Sequence, residues 1–333
     1  MEVMDMDEKI IIGRETPYPL QGILSLPDHC SARVPAVVLV HGSGPADRDE
    51  SIGANKPFRD IAEGLSNKGI AVLRYDKRTK VYGKQLLKAG PSAVTVKSDT
   101  IEDAILAAKV LKNDNRIDPG QVYILGHSLG GMLAPRIDAE GGDFAGMIIC
   151  AGSPRLFSDI LLSQNEDMLG QLPKLLHWIA NKQIAKLKAK FTAIAGMSEE
   201  EAKQVKVFGK TYAWYFKEMD AHPAADYLAR TEKPVLILQG DKDFQVTAEK
   251  DFALYQQICI GKPNVSFKLY SGLNHLFMKS VYGRVKDFKK EYKVPQKVSA
   301  EVLADIAEWI ARYDQSRIFN NLISAASAYP NPL

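Results

Sequence analysis

Val122-Tyr123-Ile124-Leu125-Gly126-His127-Ser128-Leu129-Gly130-Gly131 is the stretch on which the reading of this chain turns. Its four leading apolar residues predict a buried strand, and Met132-Leu133-Ala134-Pro135-Arg136 beyond it can start a helix. Between them lies a G-x-S-x-G pentapeptide that places Ser128 at the apex of a sharp strand-to-helix turn. Such a turn pushes the serine hydroxyl into the open at the expense of strained backbone angles. Gly126 and Gly130 belong there because strand and helix pass so closely that a Cβ would clash.

A nucleophilic serine requires a base, a group that orients the base, and donors for an oxyanion. In the α/β-hydrolase arrangement these follow the chain order oxyanion loop, serine, acid, histidine, and every slot can be filled here. Val37-Val38-Leu39-Val40 reads as a buried strand running into His41-Gly42-Ser43-Gly44-Pro45, a small-residue loop at a strand's C-terminal end. The backbone amides of Ser43 and Leu129 are the expected oxyanion donors, with His41, Gly42, Gly126 and Gly130 supporting loop and elbow. Pro234-Val235-Leu236-Ile237-Leu238-Gln239 reads as a later strand, followed by Gly240-Asp241-Lys242-Asp243-Phe244-Gln245-Val246. Asp243 fits the spacing glycine, two residues, aspartate, two residues, valine, and is the expected acid. Asp241 is expected to brace the turn through its own backbone. Six histidines are present. His29 and His41 precede the serine, His127 lies inside the elbow, and His177 and His222 precede the acid. That leaves His275, just after the strand-like Val265-Ser266-Phe267-Lys268-Leu269-Tyr270, as the expected base.

At 333 residues and 46% hydrophobic content the chain can build a substantial core. Lysine and arginine total 43 against 40 acidic residues, and the net charge of +3 is too small to point to a nucleic-acid partner. Met1-Glu2-Val3-Met4-Asp5-Met6-Asp7-Glu8-Lys9 is acidic and carries no signal-peptide pattern. No apolar run approaches the ~20 residues of a membrane span. Cys30, Cys150 and Cys259 show no metal-ligand spacing, so no metal, cofactor or disulfide is expected, and a reducing cytoplasm fits. Oligomeric state is left open.

Strand patterns near 8–14, 18–26, 35–40, 70–75, 121–125, 146–150, 234–239 and 265–270 alternate with helical ones. The helices are expected from Phe58 to Asn67, Lys97 to Asn113, Met132 to Ala139, Thr247 to Cys259, and Ala300 to Tyr313. The expected fold class is therefore α/β, a doubly wound and mostly parallel sheet formed by 1–153 and 231–333. Each candidate group falls just beyond a strand's C-terminal end, where open α/β sheets bind ligands. The interval 154–230 breaks the alternation and is expected to be an inserted helical cap without strands. Leu172, Leu176 and Ile179 suggest one apolar stripe, and Ile184, Leu187, Phe191 and Ile194 another. Lys182, Lys186 and Lys190 read as a solvated face, and Tyr212-Ala213-Trp214-Tyr215-Phe216 as cap core. Asp47-Arg48-Asp49-Glu50 gathers three carboxylates, but Arg48 sits among them and Arg59, Arg74 and Arg78 are available, which favours a structural ion-pair network over a cation site.

Further blocks complete the pattern: Asn55-Lys56-Pro57-Phe58-Arg59-Asp60, Gly69-Ile70-Ala71-Val72-Leu73-Arg74-Tyr75-Asp76-Lys77-Arg78, and Gly272-Leu273-Asn274-His275-Leu276-Phe277. With the loop at 41–50, these make the chain resemble the α/β-hydrolase superfamily, and within it capped bacterial short-chain serine carboxylesterases. The resemblance implies a small-molecule ester substrate, an acyl-enzyme on Ser128, and no metal. Peptidase, thioesterase and carbon–carbon-bond hydrolase chemistry would use the same triad, and the cap carries no motif that separates them. A non-catalytic ligand-binding relative would be expected to lack a triad member, and none is missing.

Overall fold

The computed structural model describes residues 7–28, 32–90, 93–171, 173–209 and 211–327. His29, Cys30, Leu172 and the acidic Met1–Met6 lie outside these. The strands are β1 (Asp7–Ile12), β2 (Leu20–Ser25), β3 (Val34–Val40), β4 (Ala71–Tyr75), β5 (Ile117–His127), β6 (Met147–Cys150), a small hairpin of β7 (Lys206–Phe208) and β8 (Thr211–Tyr212), then β9 (Val235–Gly240) and β10 (Val265–Tyr270). All but the hairpin form one eight-stranded sheet in the order β1-β2-β4-β3-β5-β6-β9-β10. The β1/β2 and β2/β4 pairs are antiparallel and every other neighbour is parallel. A parallel strand covered on both faces must be apolar throughout. Accordingly β4, β6 and β9 are buried along their whole length, and so are the last five residues of β3.

Alternate residues of these strands feed two separate cores. Ala36, Val38 and Val40 of β3 point to one face, where α3 (Glu102–Lys112) supplies Ala104, Ala107 and Leu111 and α4 (Leu129–Ile137) supplies Leu133 and Ile137. Val37 and Leu39 point to the other face, against Phe58, Ile61 and Leu65 of α1 (Pro57–Ser66) and Val302, Ile306 and Trp309 of the C-terminal helix Ala300–Ser327. Pro57 sits at the first position of α1, where its missing N–H has no intrahelical acceptor to lose.

Two local differences from the sequence reading have simple causes. The helix after Ser128 begins at Leu129 rather than Met132, because the serine itself is the residue before the first turn. A helix α2 (Arg78–Ala89) follows β4 where none was expected. Only Arg78 and Leu86 are buried on it, so it carries no core stripe for a periodicity search to find.

Between β6 and β9 the chain forms α5 (Phe157–Gly170), α6 (His177–Gly196), α7 (Glu199–Gln204), α8 (Ala213–Asp220) and α9 (Ala224–Arg230). The β7–β8 hairpin also lies here, in an interval expected to be strand-free. Phe191, Ile194, Ala202, Ala213 and Phe216 form its own small core. The stripe through Phe191 and Ile194 thus packs inward, whereas Ile179 is exposed, Leu176 is half-buried and Leu172 lies outside the described residues. Lys182, Lys186 and Lys190 are exposed, with Lys190 Nζ donating to the Val207 carbonyl at 2.7 Å. No helix of the described residues is long and apolar enough to cross a membrane.

Candidate active site

Ser128 stands between the end of β5 and the start of α4 with φ 53° and ψ −117°, the positive φ that L-residues avoid. Its N–H donates to the Cys150 carbonyl at 2.9 Å and its own carbonyl accepts from Met132 N at 3.0 Å, so strand and helix both grip the turn. The two flanking glycines are required by contact. A Cβ on Gly126 would lie 2.1 Å from the Gly130 carbonyl oxygen, and one on Gly130 would lie 2.1 Å from that of Val40. Leu129 N–H is the first amide of α4 and has no intrahelical acceptor.

Asp243 and His275 meet at the ends of β9 and β10. His275 Nδ1 donates to Asp243 Oδ2 at 2.6 Å, and both residues are buried. The carboxylate also accepts from Gln239 Nε2 at 2.9 Å, Gln245 N at 2.7 Å and Val246 N at 3.1 Å, which fixes both of its oxygens. Asn274 holds the histidine loop: its Oδ1 accepts from Leu276 N at 3.0 Å and Met278 N at 3.2 Å. Asp241 acts across the two loops rather than within its own turn, accepting from Gly272 N at 2.7 Å. The His275 ring lies 4.7 Å from the ring of His127, the residue preceding Ser128.

On the other side of the serine, the Gly42 peptide groups are held at both ends. Gly42 N donates to Glu50 Oε1 at 2.7 Å, and the Gly42 carbonyl accepts from Lys77 Nζ at 3.0 Å. Because a trans peptide is planar, holding the Gly42 carbonyl also sets the direction of the Ser43 N–H, which points the opposite way. Lys77 is itself paired with Asp99 at 3.1 Å, both side chains being buried. Glu50 Oε2 lies 2.9 Å from His127 Nδ1, at ion-pair distance though out of line for a hydrogen bond. His127 Nε2 in turn donates to the His275 carbonyl at 2.9 Å. Gly42, Glu50, His127 and His275 therefore form one continuous polar chain beneath Ser128.

The charges of that chain follow from its burial. Burial works against protonated His127, but the Glu50 carboxylate and the His275 carbonyl outweigh it and hold its pKa above the usual histidine range. Burial likewise works against ionised Glu50, yet His127, His41 and the Gly42 N–H bring its pKa below the usual carboxylate range. His41 goes the other way. Its burial, aided by nearby Lys77 and opposed by Glu50, lowers its pKa to about 4. Its Nε2 donates to the Asp47 carbonyl at 3.0 Å and its ring packs 4.9 Å from Phe58.

The 41–50 loop thus brings Ser43 to the site and Glu50 beneath it, while its other charges face outward. Arg48 pairs with Asp76, and Asp49 with Arg74 and Lys56. Arg59 and Arg78 pair elsewhere, with Glu63 and Asp103. Glu50, Lys77, Asp99 and Gln239 were not singled out by sequence reasoning for this site. Glu50 meets His127 and Lys77 meets Asp99 across the fold, and Gln239, though only four positions from Asp243, belongs to no motif that announces it. Among the described residues no group of three or more His, Cys, Asp or Glu side chains is placed to hold a metal ion.

Two spaces lie near the strand-to-helix turn, and Ser128 lines the smaller. A lobe of about 70 Å³ is lined by Ser128, Leu129, Met132, Ser153, Gln164 and Val246 among others. A chamber of about 640 Å³ lies between the 43–45 loop, α2 and the helices after β6, and its wall includes Phe157, Phe191, Phe208, Tyr212, Tyr215 and Phe216. Ser43, Phe157 and Leu161 line both. The aromatic run at 212–216 therefore supplies chamber wall as well as cap core.

Residues 33–280 match the family described as hydrolase, Serine aminopeptidase, S33. The chain is 37% identical over 293 residues to Esterase EstD of Thermotoga maritima, covering 88% of this chain and 66% of that protein, so it spans just under two thirds of the relative's length. Its fold is shared with Est1E from Butyrivibrio proteoclasticus, at TM-score 0.55 and 16% identity over 91% of this chain and 99% of that one. It is shared equally with proline iminopeptidase of Mycobacterium smegmatis, at TM-score 0.56 and 15% identity over 93% and 100%. An esterase and a peptidase thus sit equally near in architecture. The elbow, the ordered loops around it and the match across residues 33–280 have one conclusion: the chain belongs to the serine aminopeptidase S33 family of α/β-hydrolases.

Proposed function

We propose that this chain is a serine hydrolase that cleaves carboxylic esters through an acyl-enzyme on Ser128, with Asp243 and His275 as the other two members of the triad. The observation that carries the reading is the 2.6 Å Asp243–His275 pair, its histidine ring 4.7 Å from that of His127, which precedes a serine held at positive φ on a strand-to-helix turn. His275 takes the proton of Ser128 Oγ as that oxygen bonds to the ester carbonyl carbon. Asp243, already satisfied by three other donors, holds the ring with Nδ1 protonated and stabilises the imidazolium. The amides of Ser43 and Leu129 receive the oxyanion. As the carbonyl reforms, the bond to the alcohol oxygen breaks and His275 returns the proton to it. Water then repeats the sequence on the acyl-enzyme, releasing the acid and Ser128.

Lys77 and Glu50 serve this chemistry indirectly, as positioning residues that aim the Ser43 amide through the Gly42 peptide groups. The segment 154–230 acts as a cap that roofs the chamber and limits water. The free and buried Cys150 and Cys259 fit a reducing, cytoplasmic location.

An aminopeptidase is the competing reading, since the family carries that description. It would need a carboxylate to receive the substrate's α-ammonium. Among the residues lining the two spaces Asp99 is the one carboxylate, and Lys77 already neutralises it. Esters are therefore the better fit. The test is kcat/KM on p-nitrophenyl esters and on aminoacyl p-nitroanilides, with Ser128→Ala as the blank. Ser128-dependent ester cleavage is expected. Anilide cleavage exceeding it would move the assignment to peptides.

A further inference from the structure

The two spaces differ about ninefold in volume; Ser128 lines the small one, the large one meets it at Ser43, Phe157 and Leu161, and this arrangement assigns the two halves of the substrate. The sheet order around the site is β4-β3-β5-β6-β9-β10, with Ser128 at the exit of β5. The large chamber lies on the β3/β4 side, between Ser43–Pro45 and residues Thr79, Gly83, Leu86 and Leu87 of α2. The small lobe lies on the β6/β9 side, bounded by Ser153, Gln245 and Val246. His275 follows β10 and is on the lobe's side.

The proton that leaves with the alcohol must come from His275. The alcohol oxygen therefore faces the β9/β10 side, and the acyl group, on the other side of the same carbonyl carbon, faces β3 and α2. We infer that the chamber receives a bulky apolar acyl group, aromatic or medium-chain, and that the small lobe admits only a small alcohol. This assignment rests on the esterase reading above and deepens it.

The magnitudes support it. About 640 Å³ is within the range of sites that enclose a whole small-molecule ligand. About 70 Å³ is room for roughly two water-sized groups, a methoxy or ethoxy moiety. Six aromatic side chains on the chamber wall offer ring faces and edges to an apolar guest. Its one carboxylate, Asp99, is engaged by Lys77 Nζ at 3.1 Å and by Thr79 N at 3.3 Å, which leaves no free charge to attract a cationic tail.

The experiment varies each half of the ester separately. One series keeps ethanol as the leaving alcohol and runs from acetate through hexanoate to decanoate and 3-phenylpropanoate. The other keeps acetate and runs through ethyl, hexyl and 2-phenylethyl, primary alcohols of similar leaving ability. In the acyl series kcat/KM is expected to rise by about tenfold or more from acetate to hexanoate, since each buried methylene is worth about a fourfold change. In the alcohol series it is expected to stay level or fall beyond ethyl. A rise with alcohol size and none with acyl size overturns the assignment and leaves the esterase reading standing. Failure to cleave any of these esters overturns both.

Gly83 provides an independent arm. It lies on α2 in the chamber wall, and a Cβ there would meet nothing within 4 Å. Gly83→Leu fills chamber space and favours the helix, so it is expected to fold. The decanoate-to-acetate ratio of kcat/KM should drop by about tenfold in this variant. An unchanged ratio contradicts the chamber's role.

Discussion

The two flanks of Ser128 hold their polar groups by different means. On the β9/β10 flank a single carboxylate, Asp243, is surrounded by uncharged donors from Gln239, Gln245 and Val246 and by His275. On the β3/β4 flank the groups to be placed are neutral peptides around Gly42, and they are held by two buried ion pairs, Glu50–His127 and Lys77–Asp99. In the proposed mechanism Asp243 must stay ionised to hold His275, which neutral donors allow, whereas a neutral amide needs charges strong enough to pin it. Each flank supplies what its own working group lacks. The Glu50–His127–His275 chain then links the two flanks.

This contrast makes predictions that differ in size. Removing the group that both flanks serve is the most severe: Ser128→Ala should lower kcat by on the order of 10⁶ in a steady-state ester assay. On the acid flank, Asp243→Asn keeps the shape but reverses the donor pattern toward His275. It should cost on the order of 10⁴ in kcat, measured on the same ester. On the oxyanion flank, the double variant Lys77→Met/Asp99→Leu removes the grip on the Gly42 carbonyl without leaving a buried charge unpaired. It should cost about 10²–10³, the value of one oxyanion donor, mainly in kcat with KM little changed. Transition-state mimicry sharpens this test. A trifluoromethyl ketone should lose affinity in the double variant, while a substrate-like amide should not. Equal losses for both would reduce Lys77 to a purely structural role.

The smallest effect concerns stability. His41 has a pKa of about 4 in the fold against an ordinary 6.5, so between those values the unfolded chain takes up a proton that the folded one refuses. Stability therefore falls as pH drops from about 6.5 to about 4, by on the order of 3 kcal/mol in all, and is independent of this group above that window. His41→Gln should flatten that part of the profile in urea titrations at stepped pH. An unchanged slope would show that His41 is not the buried neutral histidine of the β3 exit.

What the sequence disclosed divides along the same line. The strand-to-helix turn at Ser128 and the meeting of Asp243 with His275 were legible because each of these residues follows an apolar strand at a characteristic offset, and the chain order leaves one histidine after Asp243. Gly126 and Gly130 were legible because the close approach that demands them is built into the turn. Glu50 and Lys77 were not, since their function depends on meeting His127 and Asp99 across the fold, 77 and 22 positions away. The charged 47–50 loop read as one structural ion-pair network, yet Glu50 turns inward beneath Gly42 while Arg48 and Asp49 pair at the rim. Helix α2 was missed for a related reason. Leu86 and Leu87 line a chamber and only Tyr82 packs against the core, which leaves no periodic stripe.

The central claim is that Ser128 is the residue that becomes acylated. A fluorophosphonate probe, followed by intact mass and peptide mapping of the wild-type protein and Ser128→Ala, tests it most directly. One adduct on the peptide containing Ser128, absent from the variant, is the predicted result. An adduct on another residue, or none on a protein that still hydrolyses esters, would contradict it.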